Sequence, residues 1–177
     1  MKISPEYQEA QKLLHQNPNY GVASTAYGSL VGRLIMQTRA RSVLDYGAGK
    51  QRLRQAARDA FDSGCEYVPY DPAFPEYGEP RPCDMVVCID VLEHVEIFCL
   101  DAVLSDLWEN MGDCGFFTIH TGPAMKILPD GRNAHLIQCG SEWWLPKLSK
   151  LFRVHQLHTD DHGFWVVVKK LLVTQPH

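Results

Sequence analysis

Three side chains that can bind a metal or transfer a proton, Asp90, Glu93 and His94, follow an apolar run at residues 84–89. They lie where this strand should turn into a helix predicted at about residues 93–111, and their spacing of i, i+3 and i+4 predicts that they share one face. Two kinds of chemistry suit this trio. His94 can act as a general base towards a hydroxyl group, or all three can bind Mg²⁺, Mn²⁺ or Zn²⁺. Acidic residues also favour the first turn of a helix, which accounts for Glu93 but not for His94.

A second candidate site is the glycine loop at residues 45–49 (DYGAG), which follows a short apolar run. Glycine lets the backbone pass close to a ligand, and a helix N-terminus offers free N–H groups. A tight turn without a ligand is the alternative interpretation. The large Arg52 does not fit the GxGxxG pattern of dinucleotide-binding proteins. Asp71 ends the next apolar run, where a carboxylate can accept both hydroxyls of a ribose or cap a turn before Pro72.

The elements that position these residues follow from the hydrophobic pattern. Strands alternate with helices or long loops, which predicts a mostly parallel α/β sheet. The last two strands are joined only by the short turn at residues 158–163, so they should be antiparallel. Pro69 predicts an edge strand, Ser141 a helix N-cap, and the proline-rich residues 72–82 a loop. Strands are predicted at residues 42–46, 66–70, 84–89, 115–120, 152–157 and 164–171. Helices are predicted at about 5–16, 51–61, 93–111 and 141–151, and a further helix around the apolar stripe of Leu30, Leu34 and Ile35.

Composition restricts the functional class. The chain has 177 residues, of which 45% are hydrophobic and 21% charged, so extensive disorder is not expected. A net charge of −4 disfavours nucleic acid as a partner. The sequence has no apolar run of the ~18 residues that a membrane helix needs, and no apolar stretch typical of a signal peptide. The six cysteines form no regular pattern, which favours free thiols and a cytoplasmic location.

Taken together, these motifs resemble those of class I S-adenosylmethionine-dependent methyltransferases. The resemblance is carried by residues 43–49 (VLDYGAG), Asp71 and residues 90–95 (DVLEHV), in that order. It implies one methyltransferase domain over residues 1–177, with an N-terminal helical cap (1–40) and a Rossmann-like core (42–171) whose sheet has an antiparallel strand near its C-terminus. S-adenosylmethionine would be the cofactor. Its binding residues would be Asp45, Tyr46, Gly47, Ala48, Gly49, Asp71, Pro72 and Asp90, with the methionine part at the glycine loop and the ribose at Asp71.

One interval departs from the family pattern. Members of the family usually have a helix and a strand between the positions of Asp71 and Asp84, and the strand ends in an acid near the adenine. Here the interval is short and rich in proline, so we predict that one inner strand and its helix are missing, as in relatives of ubiquinone-biosynthesis O-methyltransferases. The adenine pocket would then be built from Pro72, Ala73 and Phe74.

The predicted function is methyl transfer to an oxygen, in preference to a nitrogen, of a small-molecule acceptor. We expect Glu93, His94 and His135 to line the acceptor side as catalytic residues. His135 lies in a long loop at residues 121–140, which should cover that side. A carboxylate-x-x-Glu-His trio binds metal in small-RNA 2′-O-methyltransferases, which also have a later histidine before a tryptophan-containing helix. His135 and Trp143 resemble that arrangement.

The sequence therefore leaves two alternatives open, a metal-assisted RNA or nucleotide 2′-O-methyltransferase and a non-catalytic cofactor-binding subunit. It does not predict the acceptor or the oligomeric state. In the same loop, Arg132 fits either a clamp for an acidic substrate or a surface salt bridge. The three histidines of the last hairpin are predicted to be exposed or structural; they are His155, His158 and His162.

Overall fold

The computed structural model describes residues 1–171, which form a mixed α/β fold with helices on both faces of one sheet. The strands are β1 (Ser42–Tyr46), β2 (Glu66–Tyr70), β3 (Cys83–Ile89), β4 (Met111–His120), β5 (Phe152–Thr159) and β6 (Gly163–Lys170). The helices are α1 (Pro5–His15), α2 (Ser24–Thr38), α3 (Arg52–Ala56), α4 (Arg58–Asp62), α5 (Leu100–Asn110) and α6 (Ser141–Leu148).

The sheet confirms the predicted topology. Its strand order is β2-β1-β3-β4-β6-β5. β1 to β4 are parallel, and β6 pairs antiparallel with both β4 and β5. Every residue of β3 except Asp84 is buried, as expected of a strand covered on both faces. β2, which contains Pro69, lies at the edge of the sheet as predicted.

Residues 71–82 contain no strand, which confirms the predicted trimming. A 3₁₀ turn at Pro75–Tyr77 is the interval's regular element. β1 pairs with both β2 and β3, so the interior of the sheet has no gap. The trimming therefore leaves β2 as the outer strand instead of removing a strand from the middle of the sheet.

Two predicted helices are wrong in detail. The helix predicted over residues 51–61 is split into α3 and α4 at Ala57, which has φ −111° and ψ 26°. The helix predicted from Glu93 begins only at α5, after 3₁₀ turns at Leu92–His94 and Ile97–Cys99. Extended backbone separates those turns, because the Glu93 and Glu96 side chains bond to distant parts of the chain instead of capping a helix.

The remaining boundaries differ less. β4 begins at Met111, four residues before the predicted start, and α6 ends at Leu148. Ser141 is the first helical residue instead of the N-cap; Gly140 occupies the cap position. Residues 121–140 form the predicted irregular loop, with one bridge between Ile127 and Asn133. The predicted domain boundary at residue 177 lies outside the described residues.

The hydrophobic core has two parts because side chains alternate across the sheet. α5 and α6 cover one face, where Phe117 and Trp144 are fully buried. α2, α3 and α4 cover the other face, which includes Phe116. A third, smaller cluster joins α1 to the 121–140 loop through Tyr7, Leu128 and Ala134.

All six cysteines are free thiols, and five of them are buried, in agreement with the sequence prediction. They behave as small hydrophobic residues of the core. Within residues 1–171, no helix is both long enough and apolar enough to cross a membrane.

The close packing of α2 on α3 gives a test of this fold, because α3 continues from the glycine loop. A Cβ at Gly28 of α2 would lie 2.6 Å from the backbone C and O of Ala56, whereas a Cβ at Gly32 would have a first neighbour at 4.0 Å. Gly28→Ala should therefore destabilise the protein by about 1–3 kcal/mol through overpacking. Gly32→Ala should stabilise it by up to about 1 kcal/mol through helix propensity.

Urea unfolding of both variants measures the two free-energy changes against the wild type. Equal effects of the two substitutions would contradict the close approach of α2 to α3.

Candidate active site

A cavity of about 460 Å³ opens at the carboxyl ends of β1, β2 and β3. The chain passes to opposite sides of β1 here, which is the position where ligands bind in open α/β sheets. α1 and the 121–140 loop cover the cavity from outside. Residues from the glycine loop, the ends of β2 and β3, and this cover line its wall.

The glycine loop is held by the end of β2. The backbone N–H groups of Gly47 and Ala48 donate to the carbonyl oxygen of Tyr70 at 2.8 and 3.0 Å, and Gly49 N–H donates to Asp71 at 2.9 Å. These three N–H groups are therefore paired within the protein. The sequence had suggested that such groups would be free for a ligand. It offers the ligand a close backbone surface, since a Cβ at Gly47 (φ 83°) would overlap the Val91 side chain.

Asp45 lies at the bottom of the cavity and is 3% exposed. The Tyr67 hydroxyl donates a hydrogen bond to its carboxylate at 2.5 Å. Burial raises the pKa of Asp45 to about 7, with a further contribution from the neighbouring Asp71. The side chain is thus poised to ionise when a positive group, such as an ammonium, enters beside it.

Asp71 is also buried and lines the cavity. One carboxylate oxygen accepts from Gly49 N–H and the other from Ala73 N–H at 2.8 Å. Each oxygen keeps acceptor capacity for a ligand, because a carboxylate has about four lone-pair sites. Burial raises the pKa of Asp71, and these two N–H groups counteract that rise.

Asp90 has a left-handed backbone, with φ 50°, directly after β3. Its N–H donates to Thr118 Oγ1 at 2.9 Å, and the Thr118 hydroxyl donates to its carboxylate at 2.5 Å. A non-glycine residue in this conformation carries strain that is concentrated at functional sites. Asp90 lines the cavity, but Thr118 holds its carboxylate. The sequence predicted that Asp90 would form a cluster with Glu93 and His94, and in the structure it does not join them.

Glu93, His94 and His135 lie together, with ligand atoms of the three residues within 4.8 Å of one another. The His94 and His135 rings are 4.7 Å apart and both line the cavity. Glu93 is fully buried behind them; one oxygen accepts from His120 N–H at 2.9 Å. Its other oxygen has no hydrogen-bond partner among the described residues.

Both histidines are held in one tautomer. His94 Nδ1 lies 2.7 Å from the Ala134 carbonyl oxygen, and His135 Nδ1 lies 2.7 Å from that of Gly122. A carbonyl only accepts, so Nδ1 carries the proton in each ring and Nε2 is left as an acceptor or ligand atom.

The electrostatic environment keeps these groups neutral. Burial and the adjacent His135 lower the pKa of His94 to about 3, and burial lowers that of His135. Burial, with Asp90 nearby, raises the pKa of Glu93 well above its ordinary value. At neutral pH His94 is therefore uncharged, with its proton on Nδ1, and its low pKa makes Nε2 a weak base. This weakens the general-base interpretation and leaves Nε2 as a hydrogen-bond acceptor or metal ligand.

Other predicted site residues lie elsewhere. Ala73 is buried, and Phe74 packs against His15 and Tyr77 outside the cavity wall, so Pro72 alone of the predicted adenine pocket reaches the cavity. Arg132 forms a 2.6 Å salt bridge with Asp130 at the surface. The remaining residues do not line the cavity: Trp143 packs on the α5–α6 core, and His155, His158 and His162 are exposed.

Sequence reasoning also missed residues that line the cavity. His120 ends β4, so the rule that functional residues follow parallel strands could have identified it. The N-terminal segment, residues 2–24, supplies Lys2, Tyr7, His15 and Tyr20 to the wall. Its weak helical pattern gave no signal that these side chains face a ligand site.

No family model and no curated protein matches this sequence. Several solved structures resemble it in fold. One is 1,6-didemethyltoxoflavin-N1-methyltransferase from Burkholderia thailandensis, solved with 1,6-didemethyltoxoflavin and S-adenosylhomocysteine. It is 15% identical with a TM-score of 0.64, and the alignment covers 93% of this chain and 89% of that one.

Two longer proteins also match. Mitomycin 7-O-methyltransferase MmcR is 16% identical, with a TM-score of 0.61 over 92% of this chain and 60% of its own. Human N-acetylserotonin methyltransferase, solved with SAM, is 14% identical, with a TM-score of 0.56 over 81% of this chain and 51% of its own. The chain thus has the Rossmann-like fold of class I S-adenosylmethionine-dependent methyltransferases, as the motifs implied.

The buried carboxyl of Asp45 gives a pH-dependent test. Its pKa is raised from 3.8 to about 7 in the folded protein, so the associated stability is present at low pH and is lost as the pH rises from about 4 to about 7. Asp45→Asn should remove this loss. The variant should gain stability relative to the wild type by up to about 1.4 kcal/mol per pH unit across that window.

Urea unfolding of the ligand-free proteins at several pH values between 4 and 8 measures the difference. Asp161→Asn, on the exposed β5–β6 turn, is the control and should show a constant difference. A constant difference for Asp45→Asn as well would contradict the raised pKa.

Proposed function

We propose that this protein transfers a methyl group from S-adenosylmethionine to an oxygen atom of a small-molecule acceptor. One observation carries the proposal: Asp45, the glycine loop and Asp71 line one side of the same cavity that His94 and His135 line. Cofactor-binding and acceptor-facing groups therefore share one space. The fold neighbours, which include small-molecule O- and N-methyltransferases, support this class of reaction.

The cofactor would lie along the carboxyl edge of the sheet. Its methionine part would rest on Gly47–Gly49, with its ammonium group towards Asp45, whose raised pKa a positive charge would lower. Its ribose hydroxyls would donate to the free acceptor capacity of Asp71. The Burkholderia neighbour was solved with S-adenosylhomocysteine, which supports the same cofactor here.

The reaction forms a carbon–oxygen bond and breaks the carbon–sulfur bond of the sulfonium, and the acceptor hydroxyl loses its proton. The protein must align oxygen, methyl carbon and sulfur, and exclude water. The Nε2 atoms of His94 and His135 can each accept a hydrogen bond from the hydroxyl and so orient its oxygen. With its low pKa, His94 orients the hydroxyl without keeping its proton, which is released to solvent water as the carbon–oxygen bond forms.

A divalent cation is a second candidate for the same position. The residues fit one: one possible ligand atom from each of Glu93, His94 and His135 lies within 4.8 Å of the others, and one buried oxygen of Glu93 has no hydrogen-bond partner among the described residues. The Nδ1–carbonyl bonds are the outer-shell contacts that orient metal-binding histidines. Glu93, His94 and His135 would hold the ion. When bound, it would supply positive charge that favours ionisation of an acceptor hydroxyl.

The cover over the cavity favours a small acceptor over RNA. α1 and the 121–140 loop pack against each other through Tyr7, Leu128 and Ala134, which restricts entry of a polymer. The net charge of −4 also gives no broad attraction for nucleic acid. A cofactor-binding subunit without catalysis would keep the Asp45 and Asp71 contacts but would release no product in the methyl-transfer assay.

Cofactor binding tests the first part. Asp71→Asn should weaken S-adenosylhomocysteine binding by about 1.5–3 kcal/mol, because a charge-assisted acceptor for the ribose is lost. Isothermal titration calorimetry measures the change, with Asp161→Asn as a control of equal charge change at an exposed site. Absence of S-adenosylhomocysteine and S-adenosylmethionine binding to the wild type would reject the proposed function.

The acceptor-side residues are tested by turnover. Methyl transfer is measured on a panel of phenols, catechols, hydroxylated heterocycles and ribonucleosides. His94→Ala and His135→Ala should each lower turnover by about 10²-fold, the cost of a misplaced acceptor oxygen, with cofactor affinity nearly unchanged. His158→Ala, on the exposed hairpin, should be as active as the wild type. Full activity of both cavity variants would remove these residues from the mechanism.

Cobalt binding separates the two versions of that mechanism. If a cation occupies the site, the wild type should bind Co²⁺ with d–d absorption that both histidine variants lose, and chelator should stop turnover. Unchanged activity in chelator, together with no Co²⁺ absorption, would exclude the cation. Hydrogen bonding by the two histidines would then be the remaining mechanism.

A further inference from the structure

Three histidine rings lie side by side on the acceptor side of the cavity. The ring centroids of His94 and His135 are 4.7 Å apart, and those of His135 and His120 are 4.8 Å apart. All three side chains line the cavity. His120 ends β4 and is half-buried, and the proposed function assigns it no contact. Its ring nevertheless lines the same space as the two histidines that orient the acceptor.

Gly122 holds two of these rings with groups of opposite polarity. Its carbonyl oxygen accepts from His135 Nδ1 at 2.7 Å, whereas its backbone N–H donates to His120 Nδ1 at 3.1 Å. His120 Nδ1 also lies 3.2 Å from the same carbonyl oxygen. A proton on that nitrogen would face the Gly122 N–H, which can only donate and would lose its partner. His120 Nδ1 is therefore the unprotonated nitrogen of its ring.

The rings consequently present different atoms to a ligand. An imidazole whose Nδ1 is unprotonated carries its proton on Nε2, so His120 offers a hydrogen-bond donor. His94 and His135 carry their protons on Nδ1, because each Nδ1 donates to a carbonyl oxygen, and they offer lone pairs at Nε2. The acceptor side therefore combines two hydrogen-bond acceptors with an adjacent donor.

The hydroxyl group of Tyr20, an aromatic neighbour of His94, does not duplicate this donor. The two rings are 6.2 Å apart, and the Tyr20 hydroxyl donates to Gln11 Oε1 at 3.1 Å, so its proton is used within the protein. The N–H group at His120 Nε2 remains for a bound molecule. A ligand that displaces water from this group without supplying an acceptor atom loses affinity, and one that supplies an oxygen is preferred.

We propose that His120 determines specificity for the methyl acceptor, which carries a carbonyl or ether oxygen on the carbon next to its reactive hydroxyl. The hydroxyl donates to Nε2 of His135 or His94, and the neighbouring oxygen accepts from Nε2–H of His120. This rests on the proposed function, because it defines the acceptor of the same reaction. A lone hydroxyl satisfies one kind of ring only, whereas the second oxygen also restricts rotation of the acceptor about its first contact.

The protonation pattern of the three rings is the first test, and it needs no turnover. Long-range ¹H–¹⁵N correlation spectra of the ¹⁵N-histidine protein distinguish protonated from unprotonated ring nitrogens. At weakly basic pH, His120 should carry its proton on Nε2, and His94 and His135 should carry theirs on Nδ1. Single histidine substitutions assign the signals. A proton on Nδ1 of His120 would overturn the proposal.

Two phenols of matched shape give the second test. In 2-methoxyphenol an ether oxygen takes the place of one methylene group of 2-ethylphenol, next to the same hydroxyl. The wild type should methylate 2-methoxyphenol with a kcat/KM about three- to tenfold higher, the value of one neutral hydrogen bond. Where neither phenol is turned over, their inhibition constants against the best acceptor of the panel give the same ratio.

Substitutions assign this preference to one ring. His120→Phe should bring the ratio to about one, and His120→Gln, which keeps an N–H donor, should retain part of it. His135→Ala acts on the hydroxyl that both phenols share, so it should lower both rates and leave the ratio unchanged. His162→Phe is the matched control, because the His162 ring stacks on His120 at 6.1 Å but does not line the cavity.

The outcomes separate the two proposals. Failure of the wild type to bind S-adenosylmethionine and S-adenosylhomocysteine would reject the proposed function itself. Equal efficiency with the two phenols, or a preference that His120→Phe retains, would overturn the role of His120 and leave methyl transfer standing. Should His120→Phe fail to fold, the wild-type spectra and the wild-type ratio decide the question.

Discussion

The hydrogen bonds between the end of β2 and the loop after β1 are the interaction on which the site depends. The Tyr70 carbonyl accepts from two successive loop N–H groups, and Asp71 accepts from a third. They hold the loop in a conformation that needs positive φ at Gly47 and Gly49. Because Val91 fills the space where a Cβ at Gly47 would lie, the same contact fixes the distance between the glycine loop and the turn after β3. Asp45, Asp71 and Asp90 are thereby brought to one cavity by backbone geometry.

Burial of carboxyl groups at this edge lowers the stability of the folded protein and favours the binding of a ligand that pairs with them. Asp45, Asp71 and Glu93 are each at most 7% exposed, and burial raises the pKa of all three. Such groups are costly in an empty site, because desolvation disfavours the charged form. A ligand that supplies an ammonium, hydroxyl or cation relieves that cost. Natural proteins accept destabilised residues of this kind where function requires them.

The sequence was most informative where one physical rule dominates. Apolar runs predicted all six strands, because burial on both faces leaves few other patterns, and the short turn before Gly163 predicted the antiparallel pair. The prediction of a helix that begins at Glu93 was wrong, because the helical hydrophobic pattern corresponds to an observed helix only from Leu100 onward. Before that residue, the Glu93 bond to His120 and the Glu96 bonds to Ser4 outweigh local helix propensity. Long-range polar contacts of this type leave no periodic signal in a sequence.

The N-terminal segment shows the same limit for the site. Nothing in the spacing of Lys2, Tyr7 and His15 indicates a ligand. Their placement follows from contacts with residues far along the chain, which are Asp106, Arg132 and Phe74 respectively. The sheet offers the physical reason for their role. Within residues 1–171, β2 is the outer strand at this end of the sheet, and no further strand lies beyond it to enclose the cavity. An exposed apolar wall around Tyr70 would be unfavourable, and Lys2, held by its salt bridge with Asp106, lies over the Tyr70 ring. The short interval after β2 and the position of the N-terminal segment are therefore connected, because that segment covers the apolar surface at the end of the trimmed sheet.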